Sequence, residues 1–88
     1  MKIIIGVDPS TLGYHEICTI NAETLETLDS VKKKGNQATI ATIQDLTARY
    51  HDIYDDLTLV VGIEYQNNLL RDTAQALEYP VYPGQRPG

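Results

Sequence analysis

Two carboxylates close two aliphatic runs in this chain, and they are the residues best placed to do chemistry. Residues 3–7, Ile-Ile-Ile-Gly-Val, lead into Asp8; residues 57–63, Leu-Thr-Leu-Val-Val-Gly-Ile, lead into Glu64. A run that is apolar at nearly every position predicts a strand buried on both faces, at the centre of a partly parallel sheet. The crevice beyond the carboxyl end of such strands is where ligands bind in open α/β sheets. Two carboxylates brought into one crevice repel unless a cation or a shared proton lies between them. Oxygen donors with open positions suit Mg²⁺ or Mn²⁺, which use few protein carboxylates and keep waters or phosphates as the rest of their shell. The chemistry such a pair supports is metal-assisted phosphodiester hydrolysis. The plainer reading of Asp8 is a turn residue capping the Pro9-Ser10-Thr11 bend. Ser10 and Thr11 are turn formers whose hydroxyls and backbone N–H groups can also meet a phosphate.

The elements that must position this pair follow from periodicity. After the first strand, Leu12-Gly13-Tyr14 is a tight connection, and residues 15–20 alternate as a half-exposed strand. Asn21-Ala22-Glu23-Thr24 reads as a turn and residues 25–31 as a third strand, so the three form an antiparallel meander closed by Lys32-Lys33-Lys34-Gly35. Asn36 is a candidate N-cap. Ile40, Ile43, Leu46, Tyr50, Ile53 and Tyr54 then recur at helical spacing, predicting an amphipathic helix of about four turns or more. The strand ending in Glu64, a loop at Tyr65, a short helix over 69–78 and a brief edge strand at 80–82 complete the order β-β-β-α-β-α-(β). A right-handed crossover through the first helix lays the fourth strand parallel to the first, which predicts the spatial order 3-2-1-4-5. Residues 1–82 are expected to form one small α/β domain, and 83–88, with two prolines and two glycines, an irregular tail.

Composition narrows the class. Eighty-eight residues allow one modest core, and six tyrosines carry all the aromatic mass, since Trp and Phe are absent. The single cysteine, Cys18, reads as a small core residue and fits a reducing, cytoplasmic setting. No leader and no membrane-length apolar stretch is visible. A net charge of −5 argues against a protein that coats nucleic acid, though not against an acidic site bridged to phosphate by metal. Lys32, Lys33 and Lys34 read as a solvated strand end, or as phosphate contacts beside the site. Tyr65 reads as packing against the next helix, or as a stacking surface for an unpaired base. His15 and His51 read as surface residues.

The segment Gly6-Val7-Asp8-Pro9-Ser10-Thr11-x-Gly13 resembles the first motif of the RuvC-type Holliday-junction resolvases of the ribonuclease H-like superfamily, and Val61-Gly62-Ile63-Glu64 resembles their second. The resemblance spans almost the whole chain. It implies a ribonuclease H-like mixed sheet, Asp8 and Glu64 as catalytic ligands of Mg²⁺ or Mn²⁺, and branched DNA as substrate; a homodimer is expected because two-fold symmetry suits a junction needing paired cuts. In that family two further acidic residues come from a helix after the fifth strand, and no such pair follows here; Asp72 and Glu78 fall on the second helix instead. That leaves a truncated chain, a site completed by a partner chain, or a catalytically inactive fold that binds nucleic acid or protein. The phosphate-binding hairpin of actin-like ATPases is also similar at Asp8, but Pro9 stands where that hairpin carries glycine.

Overall fold

The computed structural model describes residues 1–9, 13–64, 67–77 and 81–84, with Glu64 and some residues of the second helix and fifth strand described by backbone alone. The elements are β1 (Lys2–Asp8), β2 (Tyr14–Asn21), β3 (Thr27–Lys34), α1 (Asn36–Ile53), β4 (Thr58–Glu64), α2 (Asn67–Ala76) and β5 (Val81–Gly84). They form one five-stranded mixed sheet in the order β3-β2-β1-β4-β5. β1 pairs antiparallel with β2 and parallel with β4, as the crossover argument requires.

Every second residue of the central strands enters one core. Ile3, Ile5 and Val7 of β1, Ile17 of β2, and Leu59, Val61 and Ile63 of β4 lie beneath Ile43, Leu46 and Tyr50 of α1 and Leu69 of α2. Both helices therefore cover the same face. α1 forms because its Ile43, Leu46 and Tyr50 recur at three- and four-residue steps, with Thr39 and Thr47 completing the buried stripe. Gln44 Nε2 on α1 donates to the Ala76 carbonyl at the end of α2, 3.2 Å away, which ties the two helices together.

The other face differs from expectation. Residues 3–7 do not bury both faces of their strand: Ile3, Ile5 and Val7 are buried, while Ile4 and Gly6 are half-buried and Asp8 is exposed. The reason is the one-sided placement of α1 and α2; no described residue packs on the second face. Cys18 lies on that open face rather than in the core.

Several local expectations are also corrected. Gly35, at φ 85° and ψ 162°, takes the N-cap position of α1, and no side chain caps it. Asn36 instead pairs through Oδ1 with Nε2 of His15 at 2.8 Å. His15 is consequently buried, where the pattern suggested surface; His51 is exposed, as expected. β3 begins later and ends later than the alternation implies. Leu25 sits at a positive φ of 64° in the turn, and all three lysines belong to the strand. The turn is held by Asn21 Oδ1, which accepts from the Glu23 and Thr24 N–H groups. β5 takes in Pro83 and Gly84, assigned above to an irregular tail; proline is tolerated on an edge strand.

Candidate functional site

Asp8 is where the sequence placed it: the last residue of β1, exposed, at the carboxyl edge of the central parallel pair. The β1–β4 register matches Gly6 to Gly62 and Val7 to Ile63, so the next residues, Asp8 and Glu64, end neighbouring strands side by side. Strand spacing puts their backbones about 4.8 Å apart. The two strands reach this register because Met1 and Lys2 anchor the opposite end: the Met1 carbonyl accepts from Thr58 N–H at 2.9 Å, and Lys2 aligns with Thr58. Two candidate carboxylates far apart in sequence thus share one edge of the sheet.

The antiparallel hairpin adds a third acid that sequence reasoning missed. Glu16 of β2 is matched directly to Asp8, and Lys32 of β3 is matched to Glu16. One cross-strand row therefore reads Lys32, Glu16, Asp8 on a single face, with Glu64 next along the edge. The signal available in the sequence was hairpin register. In that register Asp8 falls opposite Glu16, two residues on from the Gly6–Cys18 pair.

The lysines separate by the same pairing. Lys32 and Lys34 share the face of Asp8, whereas Lys33 is matched to the buried His15 and faces the opposite way. Lys34 Nζ lies 5.7 Å from the ring centre of the exposed Tyr14, a cation–π contact at the rim of the open face. Ser10, Thr11 and Tyr65 lie outside the described residues, so their proposed phosphate and base contacts have no geometry here.

Next to the acidic row lies a trough of about 360 Å³, lined by Ile4, Gly6, Val7, Asp8, Glu16, Cys18, Ile20 and Gly62. Its floor is the matched pair Gly6 and Gly62. Its walls are apolar, aliphatic but for the thiol of Cys18, except at the end formed by Asp8 and Glu16. This trough, too, went unread in the sequence, where the two glycines were absorbed into their strands.

The donor set at the edge is oxygen only, which fits a hard divalent ion bound largely through water and a substrate's phosphate rather than a tight protein cage. Among the described residues no group of three or more His, Cys, Asp or Glu side chains converges on one point. Asp8 and Glu16 are the described carboxylates at this edge, strand register sets the backbone of Glu64 beside Asp8, and Cys18 lines the trough next to them. No described helix is long and apolar enough to cross a membrane. Compared with known proteins, the chain matches no family model, no curated protein and no solved structure.

Proposed function

We propose that this chain is a divalent-metal-dependent, structure-specific DNA endonuclease domain of the ribonuclease H-like, RuvC-like kind, acting on branched DNA. The observation that carries the reading is the register of β1 and β4, which ends both strands in a carboxylate at one edge of the sheet. Asp8 and Glu64 would hold Mg²⁺ or Mn²⁺. When bound, that ion supplies charge neutralisation at the scissile phosphate and activation of water. Lys32 and Lys34, on the same face as Asp8, offer cationic contacts to the flanking phosphates. The apolar trough beside Asp8 leaves the acidic edge open to a large substrate.

The test is titration of Mn²⁺ into wild type and Asp8→Asn, followed by cleavage of synthetic four-way junctions. Binding that disappears with Asp8, together with cleavage lost by at least about 100-fold, is the expected result. Intact junctions over a wide protein range, with metal demonstrably bound, would refute the catalytic reading.

A second reading has its own observation. The open sheet face is apolar over Ile4, Ile20 and Gly62 and exposes Tyr82, which suits a binding module without catalysis. On that reading Asp8→Asn leaves biological activity unchanged and raises stability by relieving repulsion at the edge.

A further inference from the structure

Gly6 and Gly62 occupy adjacent central strands, and nothing among the described residues requires glycine at either position. Neither is among the positive-φ glycines, which are Gly13 and Gly35. A Cβ added at Gly62 would meet no described atom within 4 Å, and one at Gly6 would meet only the Cys18 carbonyl oxygen at 3.9 Å. Glycine inside a strand weakens it, and it commonly marks a place where another body approaches closely. The floor of the trough is thus bare toward the outside of the molecule.

We propose that a second copy of this chain covers the open face, with the two sheets stacked antiparallel about a two-fold axis at the level of Ile5. Two independent features of β1 select that centre. A two-fold at Ile5 sets Ile4 of one copy over Gly6 of the other, so an aliphatic knob enters a glycine hole. The same axis sets the exposed Lys2 of one copy over Asp8 of the other, so opposite charges meet at both ends of the strand. β4 repeats the fit, because Val60 and Gly62 are matched to Ile4 and Gly6 and therefore meet each other's counterparts across the axis. On β2, Ile20 meets Cys18 in the same way. Such an interface is isologous: each contact is made twice. Aligned sheets pack about 10 Å apart and cross at about 30°, a rotation that moves the strand ends by only a few Å, within the reach of a lysine.

The area is sufficient. Five strands span about 24 Å and their paired lengths about 20 Å, so each copy offers on the order of 500 Å². Two copies then bury about 1,000 Å², the lower bound for a specific interface. The dimer is accordingly concentration-dependent rather than obligate. It covers Asp8 and is a resting form with respect to the metal site proposed above. The experiment below contains no divalent ion, so its failure leaves the metal reading standing, and a failure of metal binding leaves the dimer standing.

The test is sedimentation equilibrium in chelator over about 10 to 500 µM protein, a range that brackets micromolar association. Wild type is expected to show a reversible monomer–dimer equilibrium. Gly62→Val sets its Cβ where no described atom lies within 4 Å, so it should fill the hole and weaken the dimer at least tenfold while leaving the thermal midpoint of the monomer unchanged or higher. Lys2→Glu should weaken it as well, and the double variant Lys2→Glu/Asp8→Lys should restore association to near the wild-type value. A wild type that stays monomeric across the range overturns the proposal, as does a Gly62→Val protein that dimerises like wild type. Failure of the charge swap to restore association overturns the antiparallel arrangement.

Discussion

The two faces of the sheet are built from the same strands, residue by residue in alternation, yet they differ in kind. Ile3, Ile5, Val61 and Ile63 face the helices with no exposure, whereas Ile4, Gly6 and Gly62, which alternate with them, line a trough and Val60 is half-buried on the same face. The covered face carries the folding free energy. The open face carries the carboxylates, the cysteine and the glycines, residues that contribute little to an internal core. In this chain stability and chemistry are separated by the two-residue period of a strand rather than by distance along the sequence.

The comparison breaks or holds most clearly at adjacent isoleucines. Ile5→Ala removes a fully buried side chain from beneath α1 and is expected to cost about 2–5 kcal/mol. Ile4→Ala, one residue earlier and half-buried, should cost about 1 kcal/mol or less in the monomer, because its side chain is only partly removed from water on folding. Urea denaturation of both variants at dilute concentration reads the difference directly. Equal losses would mean the second face is as well packed as the first.

Glycines sharpen the contrast next. Gly35 holds φ 85° and ψ 162°, a region that is essentially glycine-only, at the junction of β3 and α1. Gly35→Ala is expected to cost about 1–3 kcal/mol in strain. Gly62→Ala should be neutral or stabilise by up to about 1 kcal/mol, since strand backbone accepts a Cβ and the space above it is empty of described atoms. One glycine serves the fold and the other does not. Thermal midpoints of the two variants should move in opposite directions, or only the first should move.

Much of this architecture was legible in the sequence, for identifiable reasons. The strand order followed from two aliphatic runs and one helix-length crossover, and Asp8 and Glu64 stood out because each interrupts such a run with a charge. What could not be read was whether anything covers the second face. The run at residues 3–7 has no alternation, so it reads as buried on both sides, and a partner outside the helices leaves the same signature as an internal one. Lys32 to Lys34 read as a strand end because lysine is common where strands stop, yet the strand continues through them as an exposed edge. His15 was misplaced for a different reason. It alternates in phase with Ile17 and Thr19 on the helix-covered face, and its partner Asn36 lies twenty-one residues away, beyond any local pattern.

The covered face also contains flaws that substitution should mend. Thr19 on β2 is buried with no exposure, and its Oγ1 has no partner among the described residues. A buried hydroxyl left unbonded costs roughly 1–3 kcal/mol relative to an apolar group of the same shape. Thr19→Val should therefore stabilise by about 1 kcal/mol. Thr73 on α2 shares the defect, and Thr73→Val should add a comparable gain, since both side chains are β-branched and fit a helix about equally. Chemical denaturation midpoints check both. A loss of stability in Thr19→Val would show that its hydroxyl is satisfied after all.

The smallest effect at neutral pH belongs to Tyr50, and it appears only in alkali. Tyr50 lies on the buried side of α1 and stacks on Tyr54 with ring centres 6.4 Å apart and planes 7° from parallel. Burial raises its phenol above the ordinary value of 10.0, and the nearby negative charge of Asp29 pushes the same way. The folded state thus favours the protonated phenol more than the unfolded chain does. Its contribution to stability is complete below pH 10 and is lost as pH rises through the raised folded value, because the unfolded state ionises first. Tyr50→Phe removes that ionisation while keeping the ring. The difference in unfolding free energy between wild type and Tyr50→Phe should stay constant up to about pH 10 and then shift in favour of the variant. Every other titrating group is common to both proteins and cancels in that difference. A difference that stays constant to the alkaline limit of folding would mean that the phenol reaches water from its place in the core, and that the covered face is less sealed than its isoleucines indicate.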